Sequence, residues 1–70
     1  MGKRTTGVVR WFDGSKGYGY IDAADGEDVF VHHSELAKVN IPLLLAGDKV
    51  TFFLEDNVRG LHATDVTYLN

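Results

Sequence analysis

The chain has 70 residues, with no cysteine and a single proline. Without cysteine it can form neither a disulfide framework nor a thiolate metal site, and nothing favours an oxidising compartment, so we expect a cytoplasmic protein. No apolar run approaches the roughly 18 residues of a membrane-spanning helix, and the polar start at 1–6 is unlike a secretory signal, so no membrane partner is predicted. The length predicts a single domain over 1–70, with no second lobe to form a catalytic cleft.

Basic residues are also scarce, and the formal net charge of −3 by itself disfavours nucleic acid as a partner. The two signs are unevenly distributed, however. The first twenty positions hold four basic residues and one acid, whereas the remaining fifty hold three basic residues and nine acids. Five of the eight aromatic side chains fall between positions 11 and 30. A basic, aromatic-rich segment of this kind indicates a local binding surface.

No segment keeps apolar residues at helical spacing over ten positions, but several short runs alternate with a period of two, which predicts strands. The predicted strands are Thr5–Asp13, Lys16–Asp22, Asp28–His32, Lys49–Glu55 and Leu61–Leu69. Asp25-Gly26 predicts a hairpin turn within 24–27, and one turn of 3₁₀ helix is expected at 34–36. Ala63 and Val66 break the alternation of the last strand, which indicates a bulge.

Five short strands are too few for a two-layer sandwich, but they can close into a small antiparallel barrel without exposed edges. The predicted fold is therefore all-β. The side chains expected inside are small and mostly β-branched, as a narrow barrel requires. They are Val9, Ile21, Val29, Val31, Val50, Phe52, Leu54, Ala63 and Val66.

Alternation then places several large rings on the outside of the barrel. Tyr18, Tyr20, Phe30 and His32 share the face opposite to the core residues, and Trp11 joins them if the first two strands pair. Leaving a large ring exposed forgoes about 1.5–3 kcal/mol of burial. Two interpretations remain open: a second small core beneath the long loop at 33–48, or a platform on which unpaired bases stack.

Three segments in this region carry a specific resemblance. Residues 7–12 read GVVRWF, residues 16–21 read KGYGYI and residues 29–33 read VFVHH, and with this spacing the chain resembles the bacterial cold-shock protein family over nearly its whole length. The resemblance implies a five-stranded OB-fold barrel that binds single-stranded RNA and DNA with low sequence specificity. It also implies an RNA chaperone that melts secondary structure without ATP, in transcription antitermination or in translation at low temperature.

The resemblance also implies which residues bind nucleic acid. They are Arg10, Trp11, Phe12, Lys16, Tyr18, Tyr20, Phe30, His32 and His33, with Asp28 and Arg59 at the edge. Arg10, Lys16 and Arg59 are candidate phosphate contacts. Arg10, Trp11 and Phe12 cannot all face outward under strict alternation, so Phe12 has a second interpretation as part of the core.

Several positions depart from the family's usual pattern. His33 stands where phenylalanine is usual, and Ile41 where an aromatic side chain is common. Leu61 stands where proline is usual, and Asp13 where asparagine is common. We expect weaker binding than in a typical member at neutral pH, with binding that strengthens as His33 gains a proton.

The loop at 41–46 is unusually apolar. If Leu44 is buried, Leu43 and Leu45 are exposed beside Ile41. Either these side chains fold onto the end of the barrel, or they support a dimer. We expect a monomer, with at most weak dimerisation through Ile41, Leu43 and Leu45.

Other functions fit less well. A metal site is not expected, because the neighbours His32 and His33 point to opposite faces of a strand and His62 is remote. Asp28 and His32 lack a nucleophile and an enclosed pocket, so no enzymatic activity, metal or cofactor is predicted. The alternatives are an OB-type protein-interaction module that uses the same aromatic face for a peptide, and a purely structural role.

Overall fold

The computed structural model describes residues 4–37, 41, 43–58 and 60–69 of the chain. Its elements are β1 Arg4–Asp13, β2 Tyr18–Ala23, β3 Asp28–His32, α1 His33–Ala37, β4 Lys49–Asn57 and β5 Gly60–Tyr68. All five predicted strands are confirmed, with ends that differ by at most two residues. The expected 3₁₀ turn is instead the five-residue helix α1. Within the described ranges, no helix is long and apolar enough to cross a membrane.

The strands form a closed barrel in the order β1-β2-β3-β5-β4. Four of the neighbouring pairs are antiparallel, but β3 and β5 run parallel where Phe30 lies opposite His62. The prediction of a wholly antiparallel barrel was wrong for this pair. A ring of five strands cannot alternate direction throughout, because an odd number leaves one pair of neighbours pointing the same way.

The barrel interior is one cluster of buried hydrophobic side chains. Its members are Val9, Ile21, Ala23, Val29, Val31, Leu36, Ile41, Leu44, Val50, Phe52, Ala63 and Val66. Eight of the nine predicted core residues belong to it, whereas Leu54 is only half-buried against it. The side chains that the alternation did not predict come from the end of β2, from α1 and from the loop after α1.

The apolar loop packs partly onto the barrel. Ile41 is 8% exposed, and its backbone N–H donates to the carbonyl oxygen of Leu36 at 2.9 Å. Of the two interpretations of this loop, folding onto the end of the barrel is therefore the correct one for Ile41, whose side chain joins the core and is not available for a dimer contact. Leu44 is buried as expected, while Leu43 and Leu45 are 39% and 61% exposed. The exposed apolar patch is thus reduced to two leucines.

In the part of the chain that the structure describes, two β-bulges interrupt the strand pairing. In β1, Arg10 is the extra residue between the pairs Val9↔Ile21 and Trp11↔Tyr20. In β5, an extra residue lies between Thr64 and Thr67, and Asp65 there has a φ of 53°, in the left-handed region. The bulge predicted near Ala63 and Val66 is confirmed, whereas the bulge in β1 was not predicted.

Candidate functional site

The bulge at Arg10 decides which side chains of β1 face outward. Val9 lies inside, opposite Ile21. With strict alternation Trp11 would also point inward, but the extra residue reverses the phase and places Trp11 outside, opposite Tyr20. Phe12 then turns inward opposite Gly19 and packs, half-buried, against the core. Phe12 thus packs partly in the core, as its second interpretation predicted, because the bulge turns this side chain inward while Trp11 faces outward.

Gly19 makes room for this bulge. A Cβ atom at position 19 would lie 2.2 Å from the carbonyl oxygen of Trp11 and 2.7 Å from the Cα of Phe12. Both contacts are with backbone atoms, which cannot rotate away as the end of a side chain can. The bulged segment of β1 therefore requires glycine at this position of β2.

Four outward rings on β1, β2 and β3 form what we call the aromatic face: Trp11, Tyr18, Tyr20 and Phe30. Trp11 lies 5.6 Å from Tyr18 and 5.7 Å from Tyr20, measured between ring centroids. Phe30 lies 5.8 Å from Tyr18, with the two rings stacked, and 5.7 Å from Tyr20, edge to face. Trp11 is 39% exposed and the other three rings are half-buried, so the four rings form a surface and not a second core.

Two histidines extend the aromatic face where β3 ends. The rings of His32 and His33 are 4.5 Å apart, and both side chains are exposed. The prediction that they point to opposite faces was wrong, because His33 leaves the strand and begins α1. The His33 N–H donates to the carbonyl oxygen of Gly17 at 2.8 Å, and its ring covers this glycine so closely that a Cβ there would lie 2.5 Å from Cδ2. The described residues contain no cluster of metal-ligating side chains.

One residue of this surface was missed by the sequence reasoning. His62 was considered remote, but it lies beside Phe30 across the parallel β3–β5 pair. Trp11, Tyr20, Phe30 and His62 thus occupy neighbouring positions across four strands. The sequence held one signal for this placement: in a closed barrel, β3 must pair with a second strand besides β2. That requirement does not tell which residue of the second strand lies opposite Phe30.

Carboxylates occupy the edge of the aromatic face beside the bulge. The guanidinium of Arg10 donates to the carboxylates of Asp22 and Asp28, and these hydrogen bonds raise the pKa of Arg10. Arg10 was predicted to contact phosphate, but here it is held by two acids from β2 and β3. A phosphate would have to compete with both.

The end of β1 and the turn that follows it carry two further charged residues, Asp13 and Lys16. Oδ1 of Asp13 accepts hydrogen bonds from the Ser15 hydroxyl at 2.8 Å and from the backbone N–H groups of Ser15 and Lys16 at 3.0 Å each. These bonds, the hydroxyl first, hold the pKa of Asp13 below its ordinary value of 3.8. Lys16 is exposed in this turn. Its position therefore suits an incoming phosphate.

The sequence profile of the 'Cold-shock' DNA-binding domain matches residues 5–69. The chain belongs to the cold-shock domain family. The cold shock-like protein CspB of Escherichia coli K12 is 43% identical over 67 residues, 94% of this chain and 94% of that protein. Cold shock protein 1 of Lactiplantibacillus plantarum is 47% identical over 60 residues, 86% of this chain and 91% of that protein. Cold shock protein CspC of Bacillus subtilis is 42% identical over 60 residues, with the same shares.

The cold-shock domain family binds nucleic acid, and this member brings most of the predicted site residues to one side of the barrel. The aromatic face, His32 and His33 are contiguous through their ring contacts and strand pairs. Arg10 and Asp28 lie together at one edge, Lys16 lies in the β1–β2 turn, and Phe12 faces inward. Arg59 lies outside the described residues.

Proposed function

We propose that this cold-shock domain binds single-stranded RNA and DNA with low sequence specificity by stacking unpaired bases on the aromatic face. The observation that supports this most strongly is the group of four outward rings at spacings of 5.6–5.8 Å, which a marginally stable domain would otherwise bury. A ring face accepts any base, because every base has a π-face, and each stack contributes about 1–3 kcal/mol. No bond is made or broken in this function.

The same chemistry supports an RNA-chaperone role without ATP. Bases inside a duplex stack on one another and cannot reach the rings. A protein that binds only the open strand shifts a hairpin towards its open form by mass action. We propose that the protein melts RNA secondary structure in this way, in the cytoplasm, during transcription antitermination or translation.

Phosphate contacts are expected to be few. Arg4 and Arg10 already bind carboxylates, and the formal net charge is −3. With two or three phosphates neutralised, the logarithm of the binding constant should fall against the logarithm of salt concentration with a slope of about −1.4 to −2.1. Stacking then supplies most of the affinity.

The test is the fluorescence of Trp11 during titration with a thymidine hexamer, a uridine hexamer and a blunt duplex. We expect both single strands to quench the fluorescence and the duplex to leave it unchanged. Equal quenching by the duplex, or no response to any nucleic acid, would contradict the proposal. A protein-interaction module would instead bind an apolar peptide on this face with little dependence on salt.

The chaperone role needs a separate measurement. A short RNA hairpin carrying a fluorophore and a quencher at its ends should open in proportion to added protein, without nucleotide. Single-strand binding without any opening of the hairpin would restrict the function to binding.

A further inference from the structure

A pocket of about 330 Å³ adjoins the aromatic face on the side of β5. Sites for small ligands have volumes from about 300 Å³ upward. The pocket is lined by Tyr20, Phe30, Asn57, Gly60, Leu61 and His62. Two of these residues belong to the aromatic face, so a base stacked there has a neighbouring cavity within reach.

His62 faces this pocket because of its register in β5. Its neighbour Ala63 is buried in the core, so His62 points to the outer side of the sheet. There it lies beside Phe30, which faces outward from β3. The half-buried imidazole is thus held at the end of the row that begins with Trp11.

The hydrogen bonding of His62 determines whether its ring offers the pocket a donor or an acceptor. The amide nitrogen of Asn57 lies 3.2 Å from Nδ1 of His62. Because an amide N–H₂ group can only donate, Nδ1 accepts and the neutral ring carries its proton on Nε2. The imidazole therefore offers a donor, and Asn57 acts as a positioning residue that selects this tautomer.

Charge near the pocket disfavours phosphate as the occupant. Glu55 of β4 pairs with His62 of β5, so its exposed carboxylate lies on the same face of the sheet as His62. A carboxylate there repels a phosphodiester but not an uncharged base. The pocket suits a base edge.

We propose that this pocket takes one base of the bound single strand and that His62 favours a keto base there over an amino base. The inference rests on the proposed single-strand binding. Thymine and uracil carry an oxygen at position 4 and guanine one at position 6, and these oxygens accept a hydrogen bond from Nε2–H. Cytosine and adenine carry an amino group at the corresponding position, which places one donor against another.

The test compares a thymidine heptamer with seven variants in which a single thymine is replaced by 5-methylcytosine, a cytosine that keeps the methyl group and hence the size of thymine. Affinities are measured by the fluorescence of Trp11. We expect one position at which cytosine weakens binding about three- to tenfold, the worth of one hydrogen bond. In His62→Phe, which retains a ring but no donor, this difference should disappear. In Asn57→Leu it should shrink, because the tautomer is no longer selected.

The matched control is His33→Phe, the same replacement elsewhere on this surface. It should change affinity for all heptamers alike and leave the penalty for cytosine in place. The inference would be overturned if the cytosine replacement weakened binding equally in the unmodified protein and in His62→Phe. It would also be overturned if no position of the heptamer were sensitive to the replacement. In both cases the proposed function would stand. Failure of the unmodified protein to bind any heptamer would overturn the proposed function itself and the inference with it.

Discussion

The two bulges of the barrel each lie beside an arginine that binds aspartate, yet their surroundings differ. At the β5 bulge, Arg4 donates to Oδ2 of Asp65 at 2.9 Å and to its carbonyl oxygen at 2.7 Å. Its guanidinium also lies 4.8 Å from the ring centroid of Phe53. At the β1 bulge, the described residues that bind Arg10 are Asp22 and Asp28, both through their side chains, and the ring of Trp11 contacts those of Tyr18 and Tyr20.

This difference separates structural from functional aromatic residues. Phe53 and Phe30 are both outward-facing and half-buried. The guanidinium of Arg4 lies over Phe53, whereas Phe30 borders an open row of rings and a pocket. An outward ring alone therefore does not indicate a binding site. The presence or absence of a side chain over its π-face is the better criterion.

The largest effect is expected from a variant that fills the space occupied by the β1 bulge. In Gly19→Ala the new Cβ would clash with the backbone of Trp11 and Phe12, so we expect a loss of about 3 kcal/mol in the free energy of unfolding. Because a domain of this size has only a few kcal/mol in total, much of the protein should be unfolded. Urea unfolding followed by circular dichroism measures this.

Gly14→Ala is the control for that experiment. The nearest atom to a Cβ at position 14 is the side-chain Cδ1 of Leu43 at 3.0 Å, which can move. This variant should remain close to the original stability. If Gly19→Ala were equally stable, the bulge would not need the glycine.

The second test replaces the two outward phenylalanines one at a time. Phe30→Ala should weaken binding of a thymidine hexamer about 5- to 150-fold, because it removes a stacking surface worth about 1–3 kcal/mol. Phe53→Ala should leave affinity unchanged within about twofold and lower stability by about 1–3 kcal/mol. Fluorescence titration and urea unfolding of both variants check this. A comparable loss of affinity in Phe53→Ala would refute the distinction between the two regions.

The third test compares the two arginines. Arg4→Met should lower the free energy of unfolding by about 1–2 kcal/mol, because it removes several hydrogen bonds at the β5 bulge. Arg10→Met should leave the unfolding midpoint almost unchanged, because Arg10 and its two partners are half exposed and can be hydrated instead. A larger loss of stability in Arg10→Met than in Arg4→Met would reverse this ranking.

The smallest expected effect concerns Asp13. Because its pKa is lowered by folding, the ionised carboxylate stabilises the turn above pH 3.8, and this contribution is lost as the pH falls through the lowered pKa. Asp13→Asn keeps the accepting oxygen but does not titrate. The two proteins should be similarly stable at pH 7, and the decline of stability below pH 3.8 should be shallower in the variant. Urea unfolding at pH 7, 4 and 3 measures this. An equal decline in the free energy of unfolding of the two proteins would argue against a role for this charge.

Much of the fold could be predicted because strand periodicity is a local property. Side chains alternate with a period of two, so Ile21, Val29 and Val31 could be assigned to the core before any pairing was known. The same alternation assigned Tyr18, Tyr20 and Phe30 to the outside. The motif spacing further carried the family resemblance, which the profile match over 5–69 confirms.

Other features could not be predicted because they depend on the partner strand. The bulge at Arg10 reverses the alternation of side chains between Val9 and Trp11, and it depends on the close packing of β1 against Gly19 of β2. No feature of the β1 sequence predicts it. Ile41 is apolar and lies outside any periodic segment, so its burial against the barrel depended on the path of the loop.

By itself, then, the sequence determined five strands, their inward and outward faces and the family. Only the tertiary structure decided that Trp11 joins the aromatic face while Phe12 leaves it, that two carboxylates hold Arg10, and that His62 lies beside Phe30. The physical reason is the range of the interactions. Alternation follows from the geometry of consecutive residues, whereas bulges, ion pairs and barrel closure arise between strands that are distant in the chain.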